Sequence, residues 1–161
     1  MIIKIKKLGA LAGCIALCEL AGIIGSFFTL PAIGTWYASL SKPPFSPPDW
    51  VFAPVWLSLY ALMGISLYLV LRRGTPENNS GTALSLFSAQ LLLNVLWSFL
   101  FFGMRSLALG FAGIVLLWFA IFGTVLAFRK ISRTAALLLL PYLLWVSFAA
   151  LLNLYVMLLN P

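Results

Sequence analysis

Long apolar stretches alternate with short polar ones along this chain, and the lengths of the apolar stretches carry the first prediction. A helix rises about 1.5 Å per residue, so about 20 apolar residues cross a hydrocarbon layer about 30 Å thick. Five stretches reach that length: Leu8–Leu30, Trp50–Leu71, Thr82–Phe102, Leu107–Phe128 and Thr134–Leu159. Between them lie "PAIGTWYASLSKPPFSPPD", "RRGTPENNSG", "GMRS" and "RKISR". The pattern predicts an all-α integral membrane protein, a single domain over residues 1–161 built as a five-transmembrane-helix bundle. Its last three connections are short, which makes successive helices antiparallel neighbours. The first connection is long and rich in Pro and Trp.

Composition supports the same class. With 63% apolar and 8% charged residues, the chain has too little polar surface to coat a soluble domain, and too much apolar content for disorder. The net charge of +7 comes from basic residues scattered between apolar runs, so it forms no continuous patch for nucleic acid. Those residues mark span ends instead. Lys4, Lys6, Lys7, Arg72, Arg73, Arg129, Lys130 and Arg133 fall on one side of the five spans, and Lys42 and Arg105 on the other. In a cytoplasmic membrane this bias puts the N-terminus in the cytoplasm and the C-terminus outside. The start of the chain, a basic stretch before an apolar one, is similar to a secretory signal. However, the apolar stretch before Cys14 is shorter than the ~7–15 residues of such a signal, and hydrophobicity continues to Leu30, as in a retained span.

Polar residues at membrane depth narrow the function. Glu19 is the acid within a span, where an ionised carboxylate costs at least ~2–3 kcal/mol, so it should face the bundle interior. Ser26 shares its face, and Gly22 leaves room for a neighbouring backbone. Glu19 could contact a ligand or a proton, or serve as a neutral hydrogen-bonding link between helices. Gln90, Asn94 and Trp97 recur at i, i+4 and i+7 on the third helix, an inward face suited to helix–helix bonds or to orienting a ligand. Pro141 should kink the fifth span because it cannot donate to Leu137. Beyond it Tyr142, Trp145, Ala149 and Asn153 share a face, as Trp56, Tyr60 and Gly64 do in the second span. Three helices thus each present an inward Trp beside a few amides and almost no charge. A pocket for a large, planar, mostly apolar ligand needs such stacking faces and donors.

The stretch "WYASLSKPPFSPPDWVFAPVWLSLYALMG" resembles the signature of the translocator protein family, the TspO proteins or peripheral benzodiazepine receptors. "QLLLNVLWSFLFFG" and "LLLPYLLWVSFAALLN" are similar to its third- and fifth-helix motifs, and the resemblance covers all five spans in order. It implies a pocket among the helices that binds porphyrins such as protoporphyrin IX, benzodiazepine-type drugs and, in animals, cholesterol. Carried over by residue, the pocket positions are Tyr37 and Pro47 in the first connection, Trp56, then Gln90, Asn94 and Trp97, then Trp145 and Ala149. The family pattern has a Trp where Phe45 stands here. The animal sterol motif needs a basic residue soon after Tyr155, and "VMLLNP" has none, so sterol binding gains little support. Proline fixes φ, so the first connection can hold one shape without a strand or long helix, and it is expected to act as a lid or as an interfacial anchor.

The chemistry available is narrow. The chain has no His, and Cys14 and Cys18 lie one turn apart in an apolar run, so neither a metal centre nor a proximal haem ligand is expected, and the two Cys read as small buried side chains. No nucleophile–base pattern or pair of buried carboxylates stands out. Some members of the family promote light- and oxygen-dependent porphyrin breakdown. If that occurs here, the porphyrin, as ligand or substrate rather than covalent cofactor, supplies the photochemistry, and Trp56 and Trp145 are oxidisable neighbours. The rival classes are a transporter, for which no internal repeat speaks, and a structural or assembly protein. Gly81, Ser85 and Ala89 form a small-residue row on the third helix, a seam for a homodimer or for packing within the bundle.

Overall fold

In hydrocarbon every backbone N–H and C=O must be satisfied within the protein, and each apolar stretch does this as a helix. The structure, a computed structural model, describes residues 2–75 and 79–161, and the side chains from Lys7 onward. The sidedness expectation therefore rests partly on Lys4 and Lys6, whose side chains lie outside the described set. Helices α1 (Ile2–Ala32), α2 (Phe52–Arg73), α3 (Ser80–Ser98), α4 (Leu107–Ile131), α5 (Arg133–Leu138) and α6 (Leu140–Leu159) follow in order. With their flanking turns they make five spans long and apolar enough to cross a membrane, as the apolar lengths predict.

Two boundaries differ from the sequence reading. The first span does not stop at Leu30 but continues through Pro31 into a wide π-type turn, Ile33–Tyr37. The helix continues past Pro31, which lies on the exposed side, and the Thr35 hydroxyl donates to the Pro31 carbonyl at 2.8 Å. Trp36 and Tyr37 therefore belong to the end of a helix, and the connection proper shortens to residues 38–48. A second π-type turn, Phe99–Gly103, ends α3. The expected kink is present: α5 stops at Leu138, and α6 begins at Leu140 with Pro141 in its first turn.

Helix ends are tied by side chains. Ser106 accepts from the Leu109 amide at the start of α4, and Ser132 accepts from the Ala135 amide at the start of α5. Arg73 also reaches Ser132, donating through Nη1 at 3.2 Å, so the end of α2 is fastened to the α4–α5 corner.

The packing order corrects the expectation that all successive helices are neighbours. α1 packs on both α2 and α3, α3 on α4, α4 on α5 and α6, and α2 on α5. α2 and α3 flank α1 despite their short connection. The reason is a close crossing. Gly64 of α2 lies against the backbone of Ile15 in α1, where a Cβ would collide with the Ile15 Cα. Two turns further along, the Tyr60 ring fills the space beside Gly22, so the same two helices stand further apart.

That divergence splits the bundle. The half nearer Arg73 and Arg129 is solid: Met63, Val70, Phe87, Ile121, Phe128 and Leu139 interdigitate with little or no exposure. Cys14 and Cys18 are free thiols buried against this core, as small apolar residues would be. The opposite half holds a second cluster of Tyr37, Phe101 and Phe102 under the first connection, beside open space. Gly81, Ser85 and Ala89 face outward on α3, so the row has no part in packing within the bundle.

Candidate ligand-binding cavity

The site is built on a polar node. Tyr60 of α2 donates its hydroxyl to Asn94 Oδ1 at 2.6 Å, and Asn94 Nδ2 donates to the Tyr142 hydroxyl at 2.8 Å. Tyr60, Asn94 and Tyr142 are all buried, and their bonds join three helices. The Asn94 amide, for which sequence left two roles open, is thus engaged in helix–helix bonding through both ends. Above this floor Trp56 stacks on Tyr60 at 5.5 Å and meets Tyr142 edge-on at 6.1 Å. Trp97 lies 6.5 Å from Trp56 and stacks on Phe101 at 5.7 Å. Trp145 closes the α6 side, edge-on to Phe52 at 6.0 Å.

These rings wall a cavity of ≈ 490 Å³. Sites for drug-sized ligands run from ~300 to ~1,000 Å³, so the space is adequate. α1 contributes a wall with little bulk, including Gly22 and Gly25. The roof is Tyr37, Asp49 and Phe52, and Lys42 holds its ammonium 4.2 Å from the Tyr37 ring centroid. Ile23, Leu30 and Leu57 line the cavity and are also exposed on the outer surface, so the space reaches the lipid face between α1 and α2.

Of the residues singled out from sequence, Tyr37, Trp56, Asn94, Trp97, Trp145 and Ala149 come together in this lining, with Glu19 on the α1 wall. Two stand elsewhere. Gln90 is one turn deeper than Asn94, buried in the solid half, with Nε2 3.9 Å from Met63 Sδ. Pro47 is drawn aside because its connection packs on α6: Phe45 meets Tyr155 at 5.2 Å and Phe148 at 6.4 Å. Asn160 completes that attachment, accepting from the Ser41 amide at 3.0 Å and donating to the Ser41 carbonyl at 2.9 Å. No residue of 38–48 lines the cavity, which speaks for the second of the two roles expected of the connection, an interfacial anchor, over a lid. The roof comes from the helix ends that flank the connection.

Ser98, Phe101, Phe102 and Leu152 line the cavity without having been singled out. Phe101 follows Trp97 by four residues, and helical periodicity could have found it. Phe102 needed knowledge of the π-type turn, which brings adjacent rings to one side.

The site can stack and hydrogen-bond. Trp97 Nε1, Trp145 Nε1 and Asn153 Oδ1 are buried without a partner in this wall. Buried polar atoms of this kind ordinarily find partners, so three around one cavity, from α3 and α6, mark a place where something else supplies them. Among the described residues, no group of three His, Cys, Asp or Glu converges.

Comparison with known proteins gives the chain a family. The family model described as the TspO/MBR family matches residues 14–159. The chain is 47% identical to the tryptophan-rich protein TspO of Chlorobaculum tepidum over 156 residues, 97% of this chain and 99% of the relative. It is 41% identical to the translocator protein of Ovis aries, over 82% of this chain and 79% of that one. It is 39% identical to the tryptophan-rich sensory protein of Cereibacter sphaeroides, over 78% and 77% of the two chains.

Proposed function

The chain belongs to the TspO/MBR family and is a multi-pass membrane protein, and from that premise we propose that it binds porphyrins of the protoporphyrin IX type, and other flat aromatic molecules, in the cavity among its helices. One observation carries the reading. Trp56, Trp97 and Trp145, from three helices, converge on a ≈ 490 Å³ space that is mostly apolar, with a few buried hydrogen-bonding atoms and the carboxyls of Glu19 and Asp49 in its lining. A macrocycle gains from stacking on rigid indoles, which lose little conformational freedom on binding. The opening between α1 and α2 suits a ligand that dissolves in lipid.

Binding comes before any reaction. Where light and oxygen degrade the bound porphyrin, the macrocycle supplies the photochemistry and Trp56 and Trp145 are the nearby oxidisable groups. Transport and sensing would use the same bound state.

Titration with protoporphyrin IX tests the reading. It should quench Trp fluorescence saturably, and Trp56→Phe with Trp145→Phe should slow bleaching of the bound ligand under light. Absence of saturable quenching would favour a structural or assembly role. Equal bleaching in the double variant would remove those two indoles from the photochemistry.

A further inference from the structure

The charge of the cavity wall is one-sided. Its ionisable acids are Glu19 and Asp49, and no basic residue lines it. Asn153 adds a buried carbonyl oxygen without a partner on the opposite wall. Unused acceptors therefore face the space from α1, from the roof and from α6.

Glu19 is the most exceptional of these. It makes no hydrogen bond or ion pair among the described residues, although it sits in a span where an unpaired carboxyl is expensive. The donors nearest to it in sequence and across the α1–α2 crossing are committed, and the two free indole N–H groups of the lining, Trp97 Nε1 and Trp145 Nε1, belong to α3 and α6. Ser26, on the same face, donates its hydroxyl to the Ile23 carbonyl at 2.6 Å. Tyr60, which packs against Gly22 less than one turn from Glu19, donates to Asn94. Neighbouring helices thus leave the Glu19 carboxyl to whatever enters the cavity.

We propose that Glu19 anchors a positively charged nitrogen, so that the cavity favours flat apolar molecules carrying an ammonium group over neutral molecules of the same shape. This rests on the cavity being a ligand site, not on the ligand being a porphyrin. A charge-assisted hydrogen bond in a weakly hydrated site is stronger than a neutral one, and the ammonium group meets no competing cation in the lining.

Three pyrenes of one shape test this: 1-pyrenemethylamine, 1-pyrenemethanol and 1-pyrenecarboxylate. Each is titrated into the full chain in zwitterionic nanodiscs, with energy transfer from Trp to pyrene as the readout. The ammonium compound should bind about tenfold more tightly than the alcohol. Glu19→Gln should bring that ratio to about one, whatever it does to the alcohol, and Glu19→Asp should restore part of it. A wild-type ratio near one, or a ratio that survives Glu19→Gln, overturns the proposal. If Glu19→Gln does not fold, the wild-type ranking and Glu19→Asp still decide it. Failure of all three pyrenes to bind saturably defeats the cavity reading and the proposal with it. Pyrene binding without protoporphyrin binding defeats only the porphyrin assignment.

Discussion

Phe87 and Phe128 stack at 5.6 Å in one half of the bundle, both almost free of exposure, and aliphatic side chains fill the space around them. In the other half Trp56, Trp97 and Trp145 approach one another without closing ranks, and a cavity remains. The same helices build both halves. What differs is the company the rings keep. Unbranched Met63 adapts to gaps in the solid half, and Leu and Ile side chains fill the rest. The hollow half sets rigid indoles beside Ala149, while Gly22 and Gly25 make room for Tyr60 and Ser98. Trp118 sharpens the contrast: on the lipid-facing side of α4 its Nε1 donates to Ser147 of α6 at 2.7 Å. The bundle can supply an indole with a partner, yet Trp97 and Trp145 have none.

Truncation gives the largest expected separation between the halves. Phe128→Ala removes a ring from a packed site with no room to collapse and should cost about 3 kcal/mol of stability. Phe52→Ala, at the cavity roof, removes an equal volume next to existing void and should cost less than half as much. Thermal unfolding in one bilayer system compares them. Equal losses would mean that the hollow half is held as tightly as the solid one.

Much of this division was legible in the sequence. Spans follow from apolar length, and the shared face of Trp56 with Tyr60, and of Trp145 with Ala149, follows from a 3.6-residue period. Depth along a face was less legible: Gln90 and Asn94 share a stripe, but only the structure shows that the solid half begins between them. The π-type turns were invisible because a wider turn leaves no mark in an α-helical period. The displacement of Pro47 depends on Asn160, a partner 119 positions from Ser41, which local reading cannot reach.

Filling rather than emptying gives the next largest effect. Ala136 is buried in the solid half, and Ala136→Leu should overpack it at a cost of about 2 kcal/mol. Ala149 lines the cavity, so Ala149→Leu should change stability by less than about 1 kcal/mol. The same substitution should weaken porphyrin binding at least about tenfold, because the new side chain occupies ligand space. Unfolding curves and one porphyrin titration per variant check both statements. A large stability loss from Ala149→Leu would show the cavity to be less open than its walls indicate.

The smallest effect concerns the connection over the hollow half. Asn160 bonds both the amide and the carbonyl of Ser41, and its Nδ2 also donates to the Val156 carbonyl at 2.8 Å. Ser41 is exposed, so water competes for these bonds, and Asn160→Ala should cost about 1 kcal/mol. A loss of that size speeds local opening about fivefold, which amide exchange at Ser41 would register. Ligand release is the informative half of the experiment. If the ligand left past the connection, its off-rate would rise by a similar factor. Yet no residue of 38–48 lines the cavity, whereas Ile23 and Leu57 both line it and face the exterior. The expected outcome is faster exchange at Ser41 with an off-rate unchanged within about twofold, because release proceeds between α1 and α2. An off-rate that tracks the exchange rate would return the connection to the role of lid and put the exit above the roof.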